Sequence, residues 1–148
     1  MKRIGTLALI GLLGSAAAAC KDDTTGTSIP NIVGTWHATS AVVTNVATPA
    51  VSVNLIALGA TLQITFTSSL NYTSTINLPG QPAEVSSGTY VETATQLTLH
   101  DTQASTNPTV TFSLAMSGGT LSLTGGSPFT FDFGAGDVAA RLDVTLVH

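Results

Sequence analysis

The chain has 148 residues, 43% of them hydrophobic and 8% charged, and a formal charge of −4 from four basic and eight acidic side chains. That is the length of one domain with enough chain to bury a core, and it is too apolar for an ordinary disordered sequence. So few cations exclude a nucleic-acid partner, which needs a basic face, and a single Cys excludes an internal disulfide or a Cys-cluster zinc site.

The N-terminus reads as an address. Met1-Lys2-Arg3 is basic, Ile4 to Leu13 is apolar apart from Gly and Thr, and Gly14 to Ala19 are small residues leading into Cys20. A basic start, a short apolar run and a small-residue exit form a secretory signal too short to span a bilayer. The small residues directly before the only Cys resemble the lipobox of bacterial lipoproteins. The resemblance implies cleavage after residue 19 and acylation of Cys20, with palmitate-type chains serving as a membrane anchor. One acyl chain holds only marginally, whereas two or three hold firmly. Residues 20–30, which include Lys21-Asp22-Asp23 and a polar Thr-rich stretch, read as a flexible linker. Lys21 directly after the Cys is not the Asp that resembles an inner-membrane retention signal. The expected location is therefore the cell envelope, with the outer membrane favoured. Cleavage leaves only Lys21 and Arg141 against all eight acids.

Residues 31–148 are expected to form one all-β domain, because the dominant signal from Gly34 onward is alternation with period two. In chain order, 34–44 reads as the opening strand, and 49–59 as either a further strand or a short helix. Leu62, Ile64 and Phe66 alternate with Thr and Gln in a hairpin of 60–67 with 70–77. Pro79 and Pro82 break the chain before a hairpin of 84–92 with 96–101. Val110, Phe112, Leu114 and Met116 begin the pair 109–116 and 120–124, which turns at Ser117-Gly118-Gly119. Phe129, Phe131 and Phe133 face Leu142, Val144 and Leu146 across the last pair, 128–133 and 139–147. Thr outnumbers all charged residues together, and β-branched Thr suits the wet face of a pleated sheet. Strands with one dry face and consecutive hairpins predict an up-and-down antiparallel β-barrel of 8–10 strands. A two-sheet β-sandwich is the alternative. Most of these strands, at 5–8 residues, fall short of the ~10 residues that a membrane-spanning barrel needs, and two aromatic girdles cannot be made from so few aromatics.

The stretch Ile32-Val33-Gly34-Thr35-Trp36, running into an alternating strand, resembles the Gly-x-Trp that opens the first strand of calycins, the superfamily of lipocalins, fatty-acid-binding proteins and avidins. Gly34 and Trp36 carry the likeness. It implies a lipocalin-like barrel that binds a small hydrophobic molecule among inward side chains, with Phe66, Tyr72, Tyr90, Phe112 and Phe131 as the candidate lining and Trp36 as a plug at one end. Avidin-like biotin binding uses several Trp side chains, and here there is only Trp36. Where fatty-acid-binding proteins place Arg-x-Tyr in the final strand, this chain has Arg141-Leu142-Asp143. Lipocalins often lay a basic residue of the last strand over the Trp. An even strand count would instead put Val147 and His148 near Trp36 and Arg141 far from it.

Catalytic and cofactor chemistry finds little support. Gly134-x-Gly136-x-x-Ala139 matches a dinucleotide fingerprint only formally, since a strand and not a helix follows it. His37, His100 and His148 are the only imidazoles, and they read as solvated or structural side chains, so no metal site is expected. His100 and Asp101 are strand neighbours with opposite faces, and Glu84, Glu92, Asp101, Asp132, Asp137 and Asp143 read as solubilising acids. The expectation is a monomeric, non-enzymatic, cofactor-free carrier that binds or sequesters a small hydrophobic ligand. The alternative is a structural or protein-interaction module with a filled barrel, and cavity volume separates the two.

Overall fold

A computed structural model describes residues 28–105 and 108–148. The segment 1–19 expected as a signal, Cys20 and most of the expected 20–30 linker lie outside the described residues. Nine strands run in chain order: β1 (Gly34–Asn45), β2 (Ser52–Asn54), β3 (Thr61–Phe66), β4 (Asn71–Asn77), β5 (Glu84–Glu92), β6 (Gln96–Asp101), β7 (Thr109–Ser117), β8 (Thr120–Asp132) and β9 (Asp137–Val147). Every neighbouring pair is antiparallel, and β9 returns to β1, with His37 opposite Val147 and Asn45 opposite Ala140. Eight of the strands thus close into an up-and-down barrel. The β1–β9 pairing closes the sheet on itself and excludes the sandwich.

β2 is not a stave of the barrel. One edge of β1 pairs with β3 through Gly34–His37 and then with β2 through Val42–Thr44. The ambiguous 49–59 segment is both things in miniature, a three-residue strand followed by a 3₁₀ turn at Ile56–Leu58. Asn54 makes the switch. Its Oδ1 accepts from the N–H of Ala41 (3.2 Å) and of Ile56 (3.1 Å), and its Nδ2 donates to Ser40 Oγ (3.2 Å). A side chain that replaces ladder bonds in this way ends a strand locally, and it turns Leu55 into the core, where it is buried.

A second correction concerns 120–133. The sequence suggests two strands separated by Gly125-Gly126-Ser127-Pro128, but β8 runs through without turning. Register shifts between Leu123 and Gly126, and again between Gly126 and Phe129, absorb the extra residues as bulges. Each bulge reverses which parity faces inward, so Leu121 and Leu123, then Gly126, then Phe129 and Phe131 all meet the interior. Asp143 on β9 steadies the detour, its Oδ1 accepting from the N–H of Gly125 at 2.6 Å. Gly126 is required there because a Cβ would overlap the Phe112 ring. β1 carries a similar shift between Ala38 and Ser40, which explains why Trp36 and then Ala41 and Val43 are its buried residues.

All the inward apolar residues belong to one core. Leu62, Phe112 and Val144 are buried, and Phe131 packs half-buried against them. Met116 is the exception: it ends β7 beyond the core and is 41% exposed.

Candidate functional site

The two ends of the barrel are built differently. At one end the interior is solid. Trp36 is buried, and its Nε1–H donates to the Ile32 carbonyl at 2.7 Å, which straps the residues before β1 across the opening. Phe66 and Tyr90 meet edge-to-face with centroids 5.1 Å apart, and Tyr90 Oη–H donates to the Thr67 carbonyl at 2.9 Å. Leu97, Leu121 and Leu146 fill the remaining space. The even count of eight brings the end of β9 to this place. His148 lies where an even strand count places it: its ring packs against Trp36 at 5.1 Å, and a Cβ at Gly34 would overlap it. Arg141 pairs with Thr44 near the opposite end, where it is exposed and 3.7 Å from Asp143.

Toward the other end the inward residues shrink. On β4 the inward series is Tyr72, Ser74, Ile76; on β5, read in reverse, it is Tyr90, Gly88, Ser86, Glu84. The β4–β5 register sets Ser74 directly opposite Ser86. Two serines side by side leave a void where Leu, Ile or Phe would fill the barrel. The result is a cavity of about 290 Å³ whose apolar wall includes Ile64, Leu99, Phe112, Leu123 and Val144. A wider chamber of about 480 Å³ adjoins it, sharing Leu62, Ser74, Phe129 and Leu142 and reaching Leu78, Glu84, Phe131 and Asp137 at the mouth. The β5–β6 pairing extends only from Gly88 to Glu92, and the side of the barrel above it opens into a polar groove that shares Ser74, Ser86 and Asp101.

The polar atoms of the cavity form one chain. Ser86 Oγ–H donates to Asp101 Oδ2 at 2.7 Å, and Tyr72 Oη lies 3.2 Å from Ser86 Oγ. Asp101 Oδ1 accepts from the backbone N–H of Gln103 (2.7 Å) and Ala104 (3.2 Å). Burial would raise the Asp101 carboxyl, but these donors, helped by neighbouring His100, hold it below the usual carboxylate range. Burial pushes the Tyr72 phenol up, and the Asp101 charge adds to that despite the Ser86 hydrogen bond. Tyr72 is therefore a neutral phenol beside an ionised carboxylate.

The five aromatics expected to line the interior divide between the two ends. Tyr72 and Phe112 line the inner cavity and Phe131 lines the outer chamber. Phe66 and Tyr90 pack in the solid end instead, beside Gly34 and Trp36. Ser74, Ser86, Asp101 and Leu142 were not singled out as cavity residues. A signal for the first two existed in the small residues at inward positions of adjacent strands. His37 is exposed, as is His100, whose Nδ1 lies 3.0 Å from Thr109 Oγ1. Among the described residues no group of three or more His, Cys, Asp or Glu could hold a metal ion. No protein-family model matches the chain, and no curated protein matches it.

Proposed function

We propose that this chain is a bacterial envelope lipoprotein of lipocalin-like type, anchored through acylated Cys20, whose barrel binds or sequesters a small hydrophobic molecule without catalysis. The observation that carries the reading is the apolar cavity in the open half of a closed barrel. Its volume of about 290 Å³ falls at the lower edge of the ~300–1,000 Å³ usual for ligand sites, before the adjoining chamber is counted. A solid end and a hollow end within one barrel give a pocket with a floor, walls and a mouth. The Gly34-Thr35-Trp36 opening of β1 supports a calycin-type ancestry, and the residues before Cys20 support the anchor. The outer membrane is the favoured location, and the folded unit acts as a monomer.

Native mass spectrometry of the full chain carrying Cys20→Ser, purified from the host without detergent, tests the carrier role. A bound small molecule released on denaturation is the expected result. A ligand-free chain that also rejects added apolar probes would favour the structural or interaction module instead. For the anchor, Cys20→Ala is expected to move the protein from the membrane to the soluble fraction, and globomycin to block its processing.

A further inference from the structure

We infer that the molecule held in this barrel is an amphiphile with a positively charged, hydrogen-bond-donating end, an aliphatic amine and not a fatty-acid anion. This rests on the carrier reading above and follows from the direction of the protons in the Tyr72–Ser86–Asp101 chain. An ionised carboxylate only accepts, so Ser86 must direct its single O–H to Asp101. The Tyr72 Oη, 3.2 Å from Ser86 Oγ, must then direct its own O–H to Ser86. Both protons face along the chain, and what remains for a ligand is acceptor capacity: the lone pairs of Tyr72 Oη and the unfilled site on Asp101 Oδ2. Asp101 Oδ1 already takes two backbone donors and holds the turn after β6, while Oδ2 has one donor among the described residues, Ser86.

Among the described residues, the charged side chains that line the two spaces have one sign, His100 lying on the outer face of β6. The residues lining the inner cavity and the outer chamber include Asp101, Glu84, Asp132 and Asp137, and neither lining includes Lys, Arg or His. Among the described residues Ser74 is the one other hydroxyl facing the inner cavity, and it is neutral. Arg141 lies outside with its own partner, Asp143. A carboxylate ligand would meet repulsion and find no cation in the lining, whereas an ammonium would meet a partly buried acceptor already oriented by its backbone donors. The apolar remainder of the ligand would lie against Leu99, Phe112, Leu123 and Val144.

The test is isothermal titration of the full chain carrying Cys20→Ser with decylamine, decanol and decanoate at pH 7, each below its micelle concentration. The expected order of affinity is decylamine, then decanol, then decanoate, with about tenfold between the first two, the scale of one hydrogen bond to a charged group. Asp101→Asn should bring the affinity for decylamine down to that for decanol. Ser86→Ala, which leaves the two backbone bonds to Asp101 in place, should keep the preference for the amine. That second variant holds the test open if Asp101→Asn does not fold. Decanoate binding as tightly as decylamine, or an amine preference that survives in folded Asp101→Asn, would overturn the inference while decanol binding still upheld the carrier reading. If none of the three binds, both readings fall.

Discussion

The two halves of this barrel share strands, register and hydrogen-bond ladder, yet one is solid and the other hollow. The difference is the size of the residue each strand turns inward. Around Trp36 the inward positions carry Phe66, Tyr90, Leu97, Leu121 and Leu146, all buried, and the Trp36 and Tyr90 polar atoms each reach a backbone carbonyl. Four residues further along β5 and β6 they carry Ser86 and Asp101, with Ser74 opposite Ser86 on β4, and the interior opens. A sheet closed on itself fixes an available volume, and the side chains decide whether it becomes core or cavity. Close packing is concentrated in one half and open volume in the other.

That division of labour can be broken most severely at Trp36. Trp36→Ala removes the plug and its bond to Ile32, and is expected to destabilise the domain by about 3–5 kcal/mol. Chemical denaturation would show this as a lower midpoint. The inner cavity does not include Trp36, so the fraction that stays folded should keep its ligand affinity. Deleting His148 is milder. It removes an exposed edge-to-face contact, so a loss of about 0.5–1 kcal/mol is expected, again without effect on binding.

The smallest effect concerns Glu92 at the solid end. Its Oε2 is buried without a hydrogen-bond partner, and burial raises its carboxyl above the ordinary range. A raised carboxyl favours the fold when protonated; that contribution is complete below the ordinary pKa and is lost as pH rises through the raised value. Glu92→Gln should therefore melt slightly above wild type at pH 7, and the gap should close near pH 4. Asp101 and Asp132 act in the opposite sense. Burial works against Asp101 but its donors prevail, while the N–H groups of Gly134 and Gly136 lower Asp132. Both add stability above the ordinary carboxylate range and lose it as pH falls, so wild-type stability should decline on acidification even as the Glu92 term improves. Melting curves of the two proteins at both pH values separate these contributions.

The barrel itself was legible because period-two alternation survives in almost every strand, and hairpin turns such as Ser117-Gly118-Gly119 lie between clear pairs. The strand count was not, because Gly and Pro punctuate turns and bulges alike. Only the hydrogen bonds of β8 to β7 and β9 show that Gly125 to Pro128 is a detour. Parity then follows from closure, and with it the placement of His148 on Trp36. The cavity was hidden for a different reason. Alternation reports which residues face inward on one strand, but a void requires small residues to coincide on adjacent strands. The Ser74–Ser86 pairing depends on the β4–β5 register, which the break around Pro79 and Pro82 sets through loop geometry. The aromatics, chosen by size, were divided between the solid end and the pocket for the same reason.

Ser74 faces the inner cavity, the outer chamber and the side groove at once, and so offers the most direct test of the hollow half. The measurement is a titration of the full chain carrying Cys20→Ser with decanol, alone and with Ser74→Phe added, with melting curves recorded for both. One-to-one binding by the parent, loss of at least tenfold in affinity on filling the void, and an unchanged or higher Tm are the predicted results. Equal affinity in the two folded proteins would contradict a ligand site inside the barrel.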